Sequence, residues 1–183
     1  YTHLKHSLGS SLFLLGNIIP EDDVYAFQLD YSYRFTQKDA LIIEGITWRY
    51  YRPLGSNGNS SKEKYPGNIR SSAIGVGYQR FLWKNLHSVL QVNPYLMQYS
   101  DEDDKLIQTG FRLYLHTRIG YRFEFFNKRW YLEPSVGINY WPVSTNFPTS
   151  FKVIEDDYTN YNLFDPNLQF GFSFWQVLDK SNK

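Results

Sequence analysis

Phe111-Arg-Leu-Tyr-Leu-His-Thr-Arg-Ile-Gly-Tyr-Arg-Phe-Glu124 decides the fold. Apolar side chains stand at Phe111, Leu113, Leu115, Ile119, Tyr121 and Phe123, with Thr117 holding the phase. Between them come Arg112, Tyr114, His116, Arg118, Gly120, Arg122 and Glu124. A strict period of two makes a strand with one oily face and one polar face. These 14 residues exceed the strand of about 5–6 usual in a soluble domain. The length suits a tilted strand crossing a bilayer, which needs about 9–11 residues.

The alternation recurs on both sides of that stretch. It predicts strands at about 4–15, 24–36, 40–52, 69–83, 88–99, 107–124, 129–141 and 163–176. In the second, Tyr25, Phe27, Leu29, Tyr31, Tyr33 and Phe35 oppose Gln28, Asp30, Ser32 and Arg34. In the third the phase slips at Gly45. A bulge there would keep Leu41, Ile43, Ile46 and Trp48 outside and turn Glu44 inward. Short turns follow the second, fourth and sixth strands, and longer loops follow the others. An even strand number with alternating short and long connections is the pattern of outer-membrane barrels, whose short turns and termini are periplasmic. The expectation is all-β: one eight-stranded antiparallel up-and-down transmembrane β-barrel over residues 1–183, with a polar, filled lumen.

Composition agrees. A chain of 183 residues fits one domain, and the absence of cysteine excludes a disulfide framework and thiolate metal sites. A net charge of +1 gives no general field for nucleic acid. Aromatics at 19% fit girdles of Tyr and Trp at two membrane interfaces. No run of about 18 apolar residues offers a transmembrane helix. The negative mean hydropathy is neutral here, since only alternate residues of a barrel meet lipid. Tyr1-Thr-His-Leu-Lys5 reads as a mature start whose export signal has been removed.

The whole chain resembles the small eight-stranded outer-membrane barrels of the OmpA transmembrane domain and OmpX type. Leu168-Gln-Phe-Gly-Phe-Ser-Phe174 resembles the aromatic final-strand signal read by the barrel-assembly machinery, carried here by Phe170, Gly171, Phe172 and Phe174. Nine residues follow Phe174, a departure from chains that stop on the aromatic. The resemblance implies outer-membrane lipid as surroundings and the assembly machinery as a partner during biogenesis. A soluble barrel such as a lipocalin has the same alternation with its faces reversed. Small residues on the polar face (Gly9, Gly75, Gly137, Gly171) fit a narrow lumen, and the oily face is too aromatic for a soluble surface.

Chemistry on this frame is sparse. Arg34, Glu44, Arg112, Arg118, Arg122, Glu124 and Glu133 fall on the lumen face. Those near the short turns are expected to pair in an ionic network, since buried charge must be paired. The functional counterpart is a narrow pore. A lipid A-modifying hydrolase or acyltransferase needs His within reach of Ser. His3 and His6 sit near the N-terminus, His87 follows a turn, and His116 lies between Arg112 and Arg118, a poor place for a base. Acidic clusters fill three of the outer loops: Glu21-Asp22-Asp23, Asp101-Glu102-Asp103-Asp104 and Glu155-Asp156-Asp157. Carboxylates from separate loops suit Ca²⁺ or Mg²⁺, and through such ions lipopolysaccharide phosphates. The last loop also carries Phe147, Phe151 and Ile154, either as a docking surface or as a cap over the barrel mouth. The sequence favours a non-enzymatic outer-membrane protein, acting in membrane structure or binding a partner protein or surface glycolipid through its outer loops.

Overall fold

The structure, a computed structural model, describes residues 4–18, 25–53, 64–158 and 164–177. The strands, in chain order, are β1 (Leu4–Ser11), β2 (Tyr25–Arg34), β3 (Asp39–Tyr50), β4 (Asn68–Trp83), β5 (Leu86–Ser100), β6 (Leu106–Tyr121), β7 (Phe123–Phe125), β8 (Trp130–Thr145) and β9 (Phe164–Val177). All pairings are antiparallel. β1 closes against β9, and both β6 and β7 pair with β8. β6 and β7 are therefore one long strand broken at Arg122, and the sheet is a closed eight-stranded barrel. At the break the Arg122 N–H donates to the Asn85 carbonyl at 3.0 Å, and the Arg122 carbonyl accepts from Asn85 Nδ2 at 2.9 Å. The turn between β4 and β5 thus satisfies the backbone groups that the ladder drops.

The period of two decides which side chains are covered. Phe27, Leu29, Ile43, Ile74, Val76, Leu90, Val92, Ile119, Val136 and Ile138 are all exposed on the outside of the barrel. The residues alternating with them, among them Asp30, Ser32, Gln79, Gln91, Asn93, Arg118 and Gln169, are buried. Gly9 and Gly171 pair in register across the closing seam. A Cβ at Gly9 would lie 3.3 Å from Cζ of Tyr131, so small residues here make room for a buried ring from β8.

The first expected strand is cut short. Leu12-Phe-Leu-Leu15 is apolar without alternation, and residues Leu12–Ile18 form a 3-10 helix instead of continuing β1. Asn17 takes over part of the ladder. Its Nδ2 donates to the Ala26 carbonyl at 2.6 Å and its Oδ1 accepts the Ala26 N–H at 2.7 Å. The fifth connection is tighter than expected, because the Asp101 N–H reaches the Lys105 carbonyl at 3.0 Å. β8 runs on to Thr145, and the last loop carries a helix, α1 (Thr149–Tyr158).

The bulge expected at Gly45 is absent. The register of β3 runs unbroken past Gly45 against both β2 and β4. Ile46, Trp48 and Tyr50 therefore share the inward face with Glu44. What tips the balance is aromatic packing available inside. Tyr50, Tyr65, Ile69, Tyr95, Met97, Tyr99 and Phe151 form one buried cluster, with Ile46, Trp48, Phe147 and Ile154 against it. The interior is thus polar toward the short turns and aromatic toward the long loops.

Candidate functional site

The expected ionic network is split between three levels. At the short-turn end, Arg122 Nε donates to Glu133 Oε1 at 2.5 Å and Gln79 Nε2 to the same oxygen at 3.3 Å. His87 Nδ1 lies 3.8 Å from that oxygen. The Arg34 and Arg122 guanidinium groups both lie over the Phe81 ring, at 3.8 and 5.3 Å. Arg34 Nη2 donates to the Gln37 carbonyl at 2.7 Å. Glu124, on β7, is half-buried beside this group.

Glu44 stands apart from that cluster, at the middle level. It faces Asp30 directly across the β2–β3 ladder. Gln28 Nε2 bridges the two carboxylates, at 2.6 Å from Glu44 Oε2 and 3.1 Å from Asp30 Oδ2. Asn93 Nδ2 donates to Glu44 Oε1 at 2.6 Å, and Gln169 Nε2 to Asp30 Oδ2 at 3.1 Å. Arg118 Nη2 donates to Gln169 Oε1 at 2.9 Å, which links it to the pair.

At the long-loop end, α1 covers the mouth. Phe151 is fully buried and stacks with Tyr65 at 5.2 Å between ring centroids. Arg112 Nη2 donates to Glu155 Oε1 at 3.0 Å, and the Tyr65 hydroxyl donates to Glu155 Oε2. Burial and the Glu155 carboxylate push the Tyr65 phenol well up. Phe147, Phe151 and Ile154 thus cap the barrel, whereas Val153 is exposed.

The acidic residues of the loops are partly spent on local structure. Asp101 Oδ1 accepts the N–H groups of Asp103 and Lys105 at 3.0 and 2.9 Å, closing its own turn. Asp104 accepts from Arg49 and, at 2.8 Å, from Asn68 Nδ2. The Arg49 hydrogen bond, then the Asn68 one, hold its carboxyl below the usual range. Glu102, Asp103 and Asp156 are exposed. Glu21, Asp22 and Asp23 lie outside the described residues, as does the side chain of Asp157. Among the described residues, no group of three His, Asp or Glu side chains is placed to hold a metal ion. In the final-strand segment that resembles an assembly signal, Phe172 packs at 5.2 Å from Trp130 and Phe174 at 5.9 Å from His6. Phe170 points outward and Gly171 is buried.

Between the middle level and the cap lies a cavity of about 480 Å³. Glu44, Arg118 and Asn139 face it from the polar side, and Trp48, Tyr95, Tyr114 and Trp141 from the aromatic side. Sequence reading missed these four rings as a set. A bulge at Gly45 puts Trp48 outside, and Trp141 falls at a strand end. Tyr95 and Tyr114 did carry a signal, being aromatic at inward-facing positions.

Fold and interior together define the class, a closed eight-stranded antiparallel β-barrel with a capped mouth and an internal cavity. The architecture agrees with the resemblance to the small outer-membrane barrels. No protein-family model, curated protein or solved structure matches the chain.

Proposed function

We propose that this chain spans an outer membrane and works by binding rather than by catalysis. The observation that carries the reading is the belt of exposed Phe, Tyr, Leu, Ile and Val around the barrel, alternating with buried polar side chains. An apolar belt of that extent costs a water-soluble protein dearly and suits lipid. The short turns and both chain ends then face the periplasm, and the capped mouth faces outward. Binding falls to the outer end, where Glu102, Asp103 and Asp156 remain exposed. A partner membrane protein, or lipopolysaccharide held through Ca²⁺ or Mg²⁺, fits those carboxylates. Native mass spectrometry of the protein extracted from its own membrane in mild detergent tests this. A stoichiometric partner protein, or a glycolipid released by a chelator, is the expected result; a bare monomer in every preparation contradicts it.

A second reading, a lipid-modifying hydrolase, draws on one observation: Ser11, His116 and Glu44 all line the cavity. Against it, Ser11 Oγ donates to Asn167 Oδ1 at 3.0 Å, and Glu44 is held by two amides. Covalent labelling of Ser11 by a fluorophosphonate, lost in H116A, would favour the enzyme.

A further inference from the structure

The internal cavity combines two features that point to one ligand chemistry. On one side the rings form a continuous wall. Trp48 meets Tyr95 edge-on at 6.3 Å between centroids, Tyr95 meets Tyr114 edge-on at 5.9 Å, and Tyr114 meets Trp141 at 5.5 Å. Aromatic faces of this kind attract organic cations, most strongly where water is excluded. On the other side stands the Glu44 carboxylate, 4% exposed, facing Asp30 across the β2–β3 ladder; Asp30 itself is not part of the lining. Like charges directly opposite on adjacent strands repel. Donors to the pair are the amides of Gln28, Asn93 and Gln169, which carry no charge. Asp30 Oδ1 is buried and has no hydrogen-bond partner among the described residues. Arg118 faces the cavity too, its Nη2 turned to Gln169 Oε1, and in the level above Arg112 pairs with Glu155. The cavity therefore has room for an organic cation between the aromatic wall and the Glu44 carboxylate.

The wall of the barrel adds a route. β1 pairs with β2 only from His6 to Gly9, so Tyr25–Leu29 have no β1 partner. β1 pairs with β9 no further than Ser11 and Gln169, so Phe164–Leu168 lack one as well. Across this gap the cavity is lined by Leu12, Leu14, Phe27, Phe164 and Leu168. Phe27 and Phe164 are 57% and 72% exposed, so the lining continues onto the outer surface of the barrel.

We propose that the cavity binds a cationic amphiphile, an organic ammonium whose head sits between the aromatic wall and Glu44 and whose apolar tail leaves through the gap beside the 3-10 helix. The head site rests on the interior geometry alone. The tail's path into lipid rests on the membrane reading given above.

Isothermal titration of the full chain, folded in dodecyl maltoside micelles, tests it with hexyltrimethylammonium, hexyl sulfate and hexyl glucoside, which share one tail. The ammonium is expected to saturate one site at least about tenfold more tightly than the other two. E44Q should bring it close to the glucoside. Should E44Q fail to fold, W48L and W141L remove rings without touching the carboxylates. Each should weaken only the ammonium, by about threefold to thirtyfold. Three heads binding alike, or no saturation in a sample whose gel migration is heat-modifiable, overturns the site and leaves the membrane reading standing. Tetramethylammonium binding as tightly as the hexyl compound overturns the amphiphile. Ammonium-selective binding by a chain that stays monomeric without detergent supports the head site and overturns the membrane reading instead.

Discussion

At the scale of single residues, the barrel interior is a volume problem before it is a charge problem. Tyr131 reaches inward from β8 and is 7% exposed. It fits because Gly9 and Gly171 face it across the closing seam. Replacing Gly171 with Ala would gain some chain entropy, about 0.4–1 kcal/mol. The methyl would overlap the Tyr131 ring, and overpacking costs about 1–3 kcal/mol. G171A should therefore lower stability in urea titrations, and the double variant G171A/Y131A should lose less than the sum of the two singles. Equal stability of G171A and wild type would mean the ring has space elsewhere. Charge decides at the rim. Asp104 accepts hydrogen bonds from Arg49 and Asn68, which hold its carboxyl below the usual range. A depressed folded pKa stabilises above the unfolded value, about 3.9, and that contribution disappears as pH falls through the folded pKa. Hydrogen exchange around the tight 101–105 turn should accelerate below about pH 4 in wild type. In D104N it should already be faster at neutral pH and show a smaller acid step.

At the scale of elements, the informative comparison is between β3 and α1. The inward phase of β2, β5 and β6 could be read directly from the alternation. β3 could not, because Glu44 and the run Ile46, Trp48, Tyr50 share one face. A rule that sends apolar side chains to lipid needs a bulge there. The chain resolves the conflict by giving the upper interior an aromatic core, which a local pattern does not announce. The same core explains the last loop. Phe147, Phe151 and Ile154 read equally as a docking surface or a cap, and the cap wins because Tyr50, Tyr65 and Tyr99 offer it a buried partner. The charges followed suit. Arg122 and Glu133 pair at the short-turn end, whereas Glu44 and Arg112 find partners at other levels, since pairing depends on height along the strands and their stagger. Truncating fully buried Phe151 to Ala should cost the cap about 3–5 kcal/mol. Limited proteolysis within residues 149–158 should then speed up while the barrel keeps its resistance. Unchanged cleavage of F151A would show that the cluster does not hold the helix.

For the whole molecule, closure answers the problem that nine strands with free edges would pose. β1 and β9 seal the sheet, and the stretch beside the 3-10 helix leaves edges of β2 and β9 without a β1 partner. Asn17 satisfies part of that edge through Ala26. The polar lower interior, the aromatic upper interior and the capped mouth then form one column around the cavity of about 480 Å³. The outside is the reverse, oily where a soluble barrel would be wet. That inversion is the central claim, and the absence of native cysteine makes it simple to test. Single nitroxide labels would be placed at Ile74, Leu90 and Ile138, which face outward from β4, β5 and β8. Power saturation in liposomes would then compare collisions with oxygen and with a water-soluble nickel chelate. The account predicts high oxygen and low nickel accessibility at all three positions, as for side chains in hydrocarbon. High nickel accessibility at all three would mean that the apolar face meets water, and the membrane barrel would have to be abandoned.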